Sequence, residues 1–258
     1  EKNYPELIHD ISTCRSPMQM FASVIKAHYA SSSRRHIHVA VMPCTAKKFE
    51  ASRDEFRVDG LPNVDYVITT KELIRMIKES GLVFSELEPE AVDSPFGTYS
   101  GAGVIFGVTG GVTEAVLRRL SNEKTQAAVK AIEYTGIRGF EGVKEAIIPY
   151  GDAEVRIAVV SGLGNASALI EKIKSGEVKY DFVEVMACPG GCVCGAGQPF
   201  ALREEMEERG KGLYAADRMT NIKHSEENPI IMALYGGILK GRVHELLHVH
   251  YAADKEVN

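Results

Sequence analysis

Residues 182–188 read Phe-Val-Glu-Val-Met-Ala-Cys, and residues 38–44 read His-Val-Ala-Val-Met-Pro-Cys. Each is a short run rich in β-branched residues, the pattern of a strand, and each finishes in Met-x-Cys. Helical periodicity alternates with such runs along the chain, which is the arrangement of an α/β protein. In open α/β sheets, ligands sit beyond the carboxyl ends of the strands. The spacing therefore puts Cys44 and Cys188 at two such ends, with Cys192 and Cys194 following among glycines 190, 191, 195 and 197. Thiolates brought to one cleft ask for a soft, thiophilic cofactor.

Working outward, residues 14–30 read as a helix with Ser16-Pro17 as N-cap and first turn. A short helix is expected from Thr45 to about Ala51, a strand over 64–69, and a helix over 71–79 capped by Thr70. Residues 93–111 read as a Ser/Gly-rich loop, opening a helix that buries a stripe of Val112, Val116 and Leu120. Strands follow at 143–149 and 155–160, then a helix at 164–174 and the strand ending at Cys188. After Gln198-Pro199 the chain turns charged and helical, closing in helices near 229–239 and 242–249. The expected architecture is a single domain, 1–258, of two lobes, each a small twisted sheet flanked by helices. Approximate lobes are 15–100 and 101–200, with 201–258 a helical segment docked on them and the metal site in the cleft between.

Composition narrows the classes. A chain of 258 residues is long enough to bury a sizeable core without staples. A net charge of −5 with no basic stripe argues against nucleic acid as a partner. No apolar run reaches the roughly 18 residues of a membrane span, and the first residues carry no signal-peptide pattern. Five cysteines, an odd count, fit free or metal-bound thiols in a reducing, cytoplasmic setting better than a disulfide framework.

Glycine lets the backbone wrap closely round a bulky group, and loop amides can donate to cluster sulfurs. The spacing favours an iron–sulfur centre. A structural zinc site, which prefers paired Cys-x2–4-Cys knuckles, and three inert thiols remain as alternatives. Three other signals compete. His244-Glu245-Leu246-Leu247-His248 matches a zinc-hydrolase pattern, though a third ligand downstream is hard to find. Gly162-Leu163-Gly164 with Glu184 downstream imitates a dinucleotide fingerprint, but the third glycine is missing and Glu184 leads into the Cys188 motif, so a tight strand-to-helix turn is the better reading. Thr109-Gly110-Gly111 at a helix start could aim amides at an anionic cluster.

Longer motifs then resemble a known family. Met42-Pro43-Cys44-Thr45-Ala46-Lys47-Lys48-Phe49-Glu50 and Glu184-Val185-Met186-Ala187-Cys188-Pro189-Gly190-Gly191-Cys192 are similar to the second and third signatures of the catalytic domain of iron-only (di-iron) hydrogenases. Tyr4-Pro5-Glu6-Leu7, Tyr99-Ser100-Gly101-Ala102-Gly103, Phe106-Gly107 and His224-Ser225-Glu226-Glu227-Asn228-Pro229 fall where that family has similar runs, so the likeness covers nearly the whole chain. The resemblance implies an oxidoreductase that reversibly reduces protons to dihydrogen. Its cofactor is a 4Fe-4S cubane bridged to a di-iron unit with carbon monoxide, cyanide and dithiolate ligands, the H-cluster. By the same resemblance Cys44, Cys188 and Cys192 are cubane ligands, with Cys192 the bridge, and Lys47 donates a hydrogen bond to a cyanide. Met42, Met186, Pro17 and Phe106 wall the pocket, Ser16 belongs to the same constellation, and Ser12 and Glu50 match members of a proton relay. Implied partners are a ferredoxin or other redox subunit and maturation proteins.

The departures are local. The family's first cysteine signature, expected upstream of Tyr4, and its ferredoxin-like cluster domains lie outside these residues. Met18 stands where the family often has Gln, and Ala196 where it often has Gly; Cys14 and Cys194 have no cluster role in the pattern. A hydrogen or redox sensor and an iron–sulfur assembly protein are the alternatives, although an assembly protein is not expected to keep Lys47 with both methionines.

Overall fold

The computed structural model describes residues 1–58, 60–93, 96–120, 142–150 and 153–252. In chain order, helix α1 is Pro17–His28, strand β1 Val39–Met42, α2 Ala46–Ser52, β2 Tyr66–Thr69 and α3 Thr70–Glu79. Next come α4 Gly101–Val104, α5 Gly111–Leu120, β3 Val143–Tyr150, β4 Ala153–Ser161, α6 Leu163–Lys174 and β5 Phe182–Met186. Helices α7 Arg203–Met219, α8 Pro229–Gly236 and α9 Val243–Leu247 complete the described elements. The expected α/β class is what the chain adopts, small sheets flanked by helices. It divides into two compact units, one of Glu1–Leu73 with Ala233–Asn258, the other of Ile74–Met232.

In the first unit β1 and β2 pair in parallel, Val39 opposite Tyr66 and Met42 opposite Thr69. One face of this pair covers a core of Met18, Ala22, Val64 and Val67, with Ala40, Met42 and Ala51 packed against it. The strand period of two sends Val39 and Val41 the other way, where they stay 53% and 46% exposed. Ser16 caps α1, its hydroxyl accepting from the Gln19 amide at 3.4 Å, and Pro17 occupies the first turn. The helix therefore starts later than residue 14. Residues 13–15 run extended instead: the Arg15 amide donates to the Leu247 carbonyl (2.9 Å) and the Val249 amide to that of Thr13 (2.8 Å). The same pairing ends α9 at Leu247 rather than at 249. Arg15 locks the join, donating to the carbonyls of His248 and Glu245 and to Ser23 Oγ.

The cap of α3 is Thr69, one residue before the expected Thr70. Its hydroxyl accepts from the Glu72 amide at 3.2 Å while Glu72 Oε2 accepts from the Thr69 amide at 2.7 Å, a reciprocal capping box.

The second unit is a three-stranded sheet in the order β3-β4-β5. Strands β3 and β4 are antiparallel, and β4 and β5 parallel, with Ile157 opposite Phe182 and Ser161 opposite Met186. The central strand is buried on both faces. Ile157 and Val159 pack on Leu117, Ile148 and Phe182, whereas Ala158 and Val160 pack on Ala166, Leu169 and Val183. A continuous apolar run is what such a strand requires, and each large side chain fully buried contributes about 1.5–3 kcal/mol.

Two expectations are corrected here. The stretch 93–111 is not all loop, since it holds α4 and a 3-10 turn over Ile105–Gly107. The fully buried face of α5 is Thr113, Glu114, Leu117 and Arg118, not the Val112, Val116 and Leu120 stripe, which is half-buried. Charge explains the difference. Arg118, completely buried, donates to Glu114 Oε1 (2.5 Å) and in a fork to both oxygens of Asp217 (2.9 and 2.8 Å). An apolar-periodicity argument does not anticipate a buried ion cluster, because a buried charge is stable only once its partners are in place. Gly101 is part of the same packing: a Cβ there would lie 1.8 Å from Asp217 Oδ1.

Candidate metal-cluster site

Both Met-x-Cys runs leave the carboxyl end of a strand, as the alternating pattern predicts. In the second unit Met186 ends β5, and the chain then coils through four successive turns. The amides of Gly191, Cys194, Gly195 and Gln198 donate to the carbonyls of Cys188, Gly191, Cys192 and Gly195, at 2.9–3.0 Å. Gly190 and Gly191 take φ of +86° and +93°, a region that disfavours side chains. Gly191 is also pressed on a neighbouring turn: a Cβ on it would lie 2.7 Å from the Thr109 amide nitrogen and 2.8 Å from the Gly107 carbonyl oxygen. Cys188, Cys192 and Cys194 are half-buried, and no disulfide links any of the five cysteines. Burial pushes the Cys194 thiol up, and its side chain packs on the cluster of Ile105, Val108 and Val193, the surroundings of a small hydrophobe.

The turn facing Gly191 is held by Glu184. This carboxylate is buried in mid-strand, with Oε1 accepting from the Gly110 amide (2.8 Å) and Oε2 from the Thr113 amide and hydroxyl (both 2.7 Å). That arrangement removes the dinucleotide reading, in which Glu184 would be free for a ribose. It also bears on the anion expectation for Thr109-Gly110-Gly111: the Gly110 and Thr113 amides are taken by Glu184 and the Gly111 amide by the Val108 carbonyl. Gly162 is a tight strand-to-helix turn, φ +91°, its amide donating to the Met186 carbonyl. Phe106 is half-buried in the 3-10 turn before Gly107.

In the first unit Cys44 is half-buried between β1 and α2. Three of the residues singled out in the sequence come together in this unit. Glu50 accepts from Ser16 Oγ on one oxygen and from Lys47 Nζ on the other. The Lys47–Glu50 pair is 23% and 20% exposed, so it is only partly screened by water. Lys48 does not lie on a free helix face either, since its ammonium donates to the Val67 carbonyl and to Glu72. Glu50 also lines a cavity of about 350 Å³ with Phe49, Arg53, Phe56 and Tyr251. Arg53 sits 5.1 Å over the Tyr251 ring, and burial raises the Tyr251 hydroxyl above the usual phenol range. Met42 packs in the core and Pro17 is exposed at the helix start. Ser12 is exposed, its hydroxyl accepting from the Cys14 amide, and among the described residues no bond joins it to Glu50.

The zinc-hydrolase reading of His244 and His248 fails on the same unit. His248 lies past the end of α9 and shares a 2.8 Å hydrogen bond between Nδ1 and Thr13 Oγ1. Glu245, the would-be base, is gripped by Arg242. Among the described residues no three His, Cys, Asp or Glu side chains gather as ligands of a single metal ion.

The donor set fits an iron–sulfur cluster instead. Its thiols are soft, its glycine backbone leaves room, and the Thr109 hydroxyl, buried beside the cysteine loop, has no hydrogen-bond partner among the described residues. Fold and thiol-bearing loops together suit a cluster-binding α/β protein. Comparison with known proteins then identifies the family. Residues 1–196 match the iron only hydrogenase large subunit, C-terminal domain, and residues 203–254 the iron hydrogenase small subunit, so the chain belongs to the iron-only hydrogenase family. It is 43% identical to the NADP-reducing hydrogenase subunit HndD of Solidesulfovibrio fructosivorans, over 97% of this chain and 44% of that one. It is 33% identical to the cytosolic Fe-S cluster assembly factor narfl of Xenopus tropicalis, over 96% of this chain and 55% of that one. The chain thus spans about half the length of these relatives. A solved structure of a variant of the [FeFe]-hydrogenase HydA1 from Chlamydomonas reinhardtii superposes with a TM-score of 0.79 at 38% identity, covering 98% of this chain and 73% of that one.

Residues that a sequence reading passes over are Thr113 and Glu184 in its clamping role. The available signal was a lone carboxylate inside an apolar strand, which needs hydrogen-bond partners wherever it is buried.

Proposed function

We propose that this chain is the catalytic domain of an iron-only hydrogenase, interconverting protons and electrons with dihydrogen. The observation that carries the reading is the coiled glycine loop from Cys188 to Gln198, its backbone bonded into turns around Cys188 and Cys192. Cys44, Cys188 and Cys192 would supply thiolates to the four-iron cubane of the H-cluster, and Cys192 would also hold its di-iron unit. When bound, that centre supplies the electron transfer and the binding of hydrogen.

The protein's own groups bind, orient and move protons. Lys47 Nζ has three N–H donors. One is held by Glu50, which leaves the others for a cyanide, and a charge-assisted bond of this kind contributes roughly 1.5–3 kcal/mol. Met42, Met186 and Phe106, all half-buried, would wall the centre against water, whereas Pro17 is exposed at the start of α1. Glu50, bonded to Ser16 Oγ and facing the cavity beside Tyr251, takes up and releases a proton at its carboxylate, with Ser12 further along the relay. Electrons come from a ferredoxin or another redox subunit, and maturation proteins deliver the di-iron unit. Five cysteines without a disulfide suit a reducing cytoplasm.

The test is an infrared spectrum of anaerobically purified protein supplied with the di-iron unit. Sharp carbon monoxide and cyanide stretches with hydrogen evolution support the reading. Cys192→Ala is expected to remove both, a loss beyond the roughly 10–100-fold that supporting residues usually cost; normal turnover in that variant would sink the assignment. The assembly-factor relative favours a second reading, an iron–sulfur assembly protein. A chain that takes up the cubane but neither the di-iron unit nor hydrogen would support that one.

A further inference from the structure

We propose that Glu184 is a positioning residue for the cysteine loop, and that its buried charge holds down the reduction potential of the cluster bound there. The inference rests on the reading given under Proposed function. Glu184 is the one fully buried residue of β5, the strand that runs directly into Met186 and Cys188. Its carboxylate ties that strand to the Gly107–Gly111 turn through the Gly110 amide and through the amide and hydroxyl of Thr113. The turn in turn abuts Gly191, where even a Cβ would collide with its backbone. From the other side Ser161 Oγ accepts from the Gly190 amide at 3.1 Å. Strand, turn and loop are therefore a closed circuit in which Glu184 makes the central bonds.

The electrostatics follow from the partners. Among the described residues Glu184 is bonded to two amides and a hydroxyl, none of them cationic. The start of a helix offers only about half a positive charge. A net negative charge thus remains buried in mid-strand. Glu184 and Cys188 are four positions apart in the chain, so their Cα atoms lie within roughly 14 Å of each other. Across low-dielectric protein that charge disfavours adding an electron to whatever Cys188 holds, since buried charges are little screened.

The experiment compares the parent chain with Glu184→Gln and Glu184→Asp. Each is reconstituted anaerobically with ferrous iron and sulfide in the presence of dithiothreitol, and titrated potentiometrically with electron paramagnetic resonance detection. Amide exchange is measured on the same proteins before loading. Glu184→Gln is expected to shift the cluster potential to a more positive value and to speed exchange at Gly110 and Thr113. Glu184→Asp, which keeps the charge, is expected to retain the parent potential while losing part of the protection. A loaded Glu184→Gln protein at the parent potential overturns the charge role, and unchanged exchange at Gly110 and Thr113 overturns the clamp. If Glu184→Gln does not fold, Thr113→Val removes one donor and leaves the charge. Faster exchange over residues 190–195 then supports the clamp, and none refutes it. A parent chain that takes up no iron sinks the cluster reading and this inference with it, whereas a loaded parent with no shift in the variant sinks this inference alone.

Discussion

The two strand ends that carry cysteine are built from nearly the same sequence and supported in opposite ways. After β1, Cys44 passes straight into α2, and the neighbouring side chains are held by an ion pair in contact with water, Lys47 with Glu50. After β5, Cys188 passes into a glycine coil pressed on a second turn and tied down by a buried carboxylate. The sheets differ likewise. Strand β1 leaves Val39 and Val41 exposed on its outer face, while β4 beside the second cysteine strand is buried on both. The lesson is that a shared Met-x-Cys ending fixes where a strand stops, and the surrounding packing decides how far the segment after it can adjust.

The sharpest way to break that contrast is in the second unit. Arg118→Met removes the cation that Glu114 and Asp217 share in the interior, and removing one partner of a buried ionic cluster costs about 3–5 kcal/mol. Urea denaturation is expected to show a loss of that size, and a loss below about 1 kcal/mol would mean the second unit is no stiffer than the first. The matching cut in the first unit is Lys47→Ala. Pairs in contact with water contribute about 0–1 kcal/mol, so its unfolding midpoint is expected to move little while hydrogen turnover falls roughly 10–100-fold. A large stability loss without loss of turnover would make Lys47 a structural residue. The smallest effect concerns Glu72. Its hydrogen bond from Lys48, helped by the Thr69 amide, lowers the carboxyl from 4.5 to about 2. A lowered folded value means the contribution to stability is complete above pH 4.5 and disappears as pH falls through about 2. Carboxyl chemical shifts are expected to place the titration there, and Lys48→Ala to move it back towards 4.5.

The strands, most helices and both cysteine turns were legible because apolar periodicity and glycine placement are local signals. What stayed hidden is relational. Thr69 rather than Thr70 caps α3 because Glu72 reaches back to it. Residues 13–15 leave the helical pattern because a segment more than two hundred positions away pairs with them. The buried face of α5 is polar because Asp217, on another helix, accepts both ends of the Arg118 guanidinium. The distance of Glu184 from Gly162 only imitates a ribose-binding carboxylate, and the partners that satisfy it are visible in the fold alone.

The join between residues 13–15 and 247–249 also sets an order of events. The first unit is assembled from Glu1–Leu73 and Ala233–Asn258, with the whole of Ile74–Met232 in between. During synthesis from the N-terminus, the inserted unit has all its residues before the first unit has the segment that Arg15 grips. Cys188 and its loop can be in place while Cys44 still sits on a half-built body. Closure of so long a loop is slow relative to local pairing, so the nested unit is ready to wait for its host rather than the reverse.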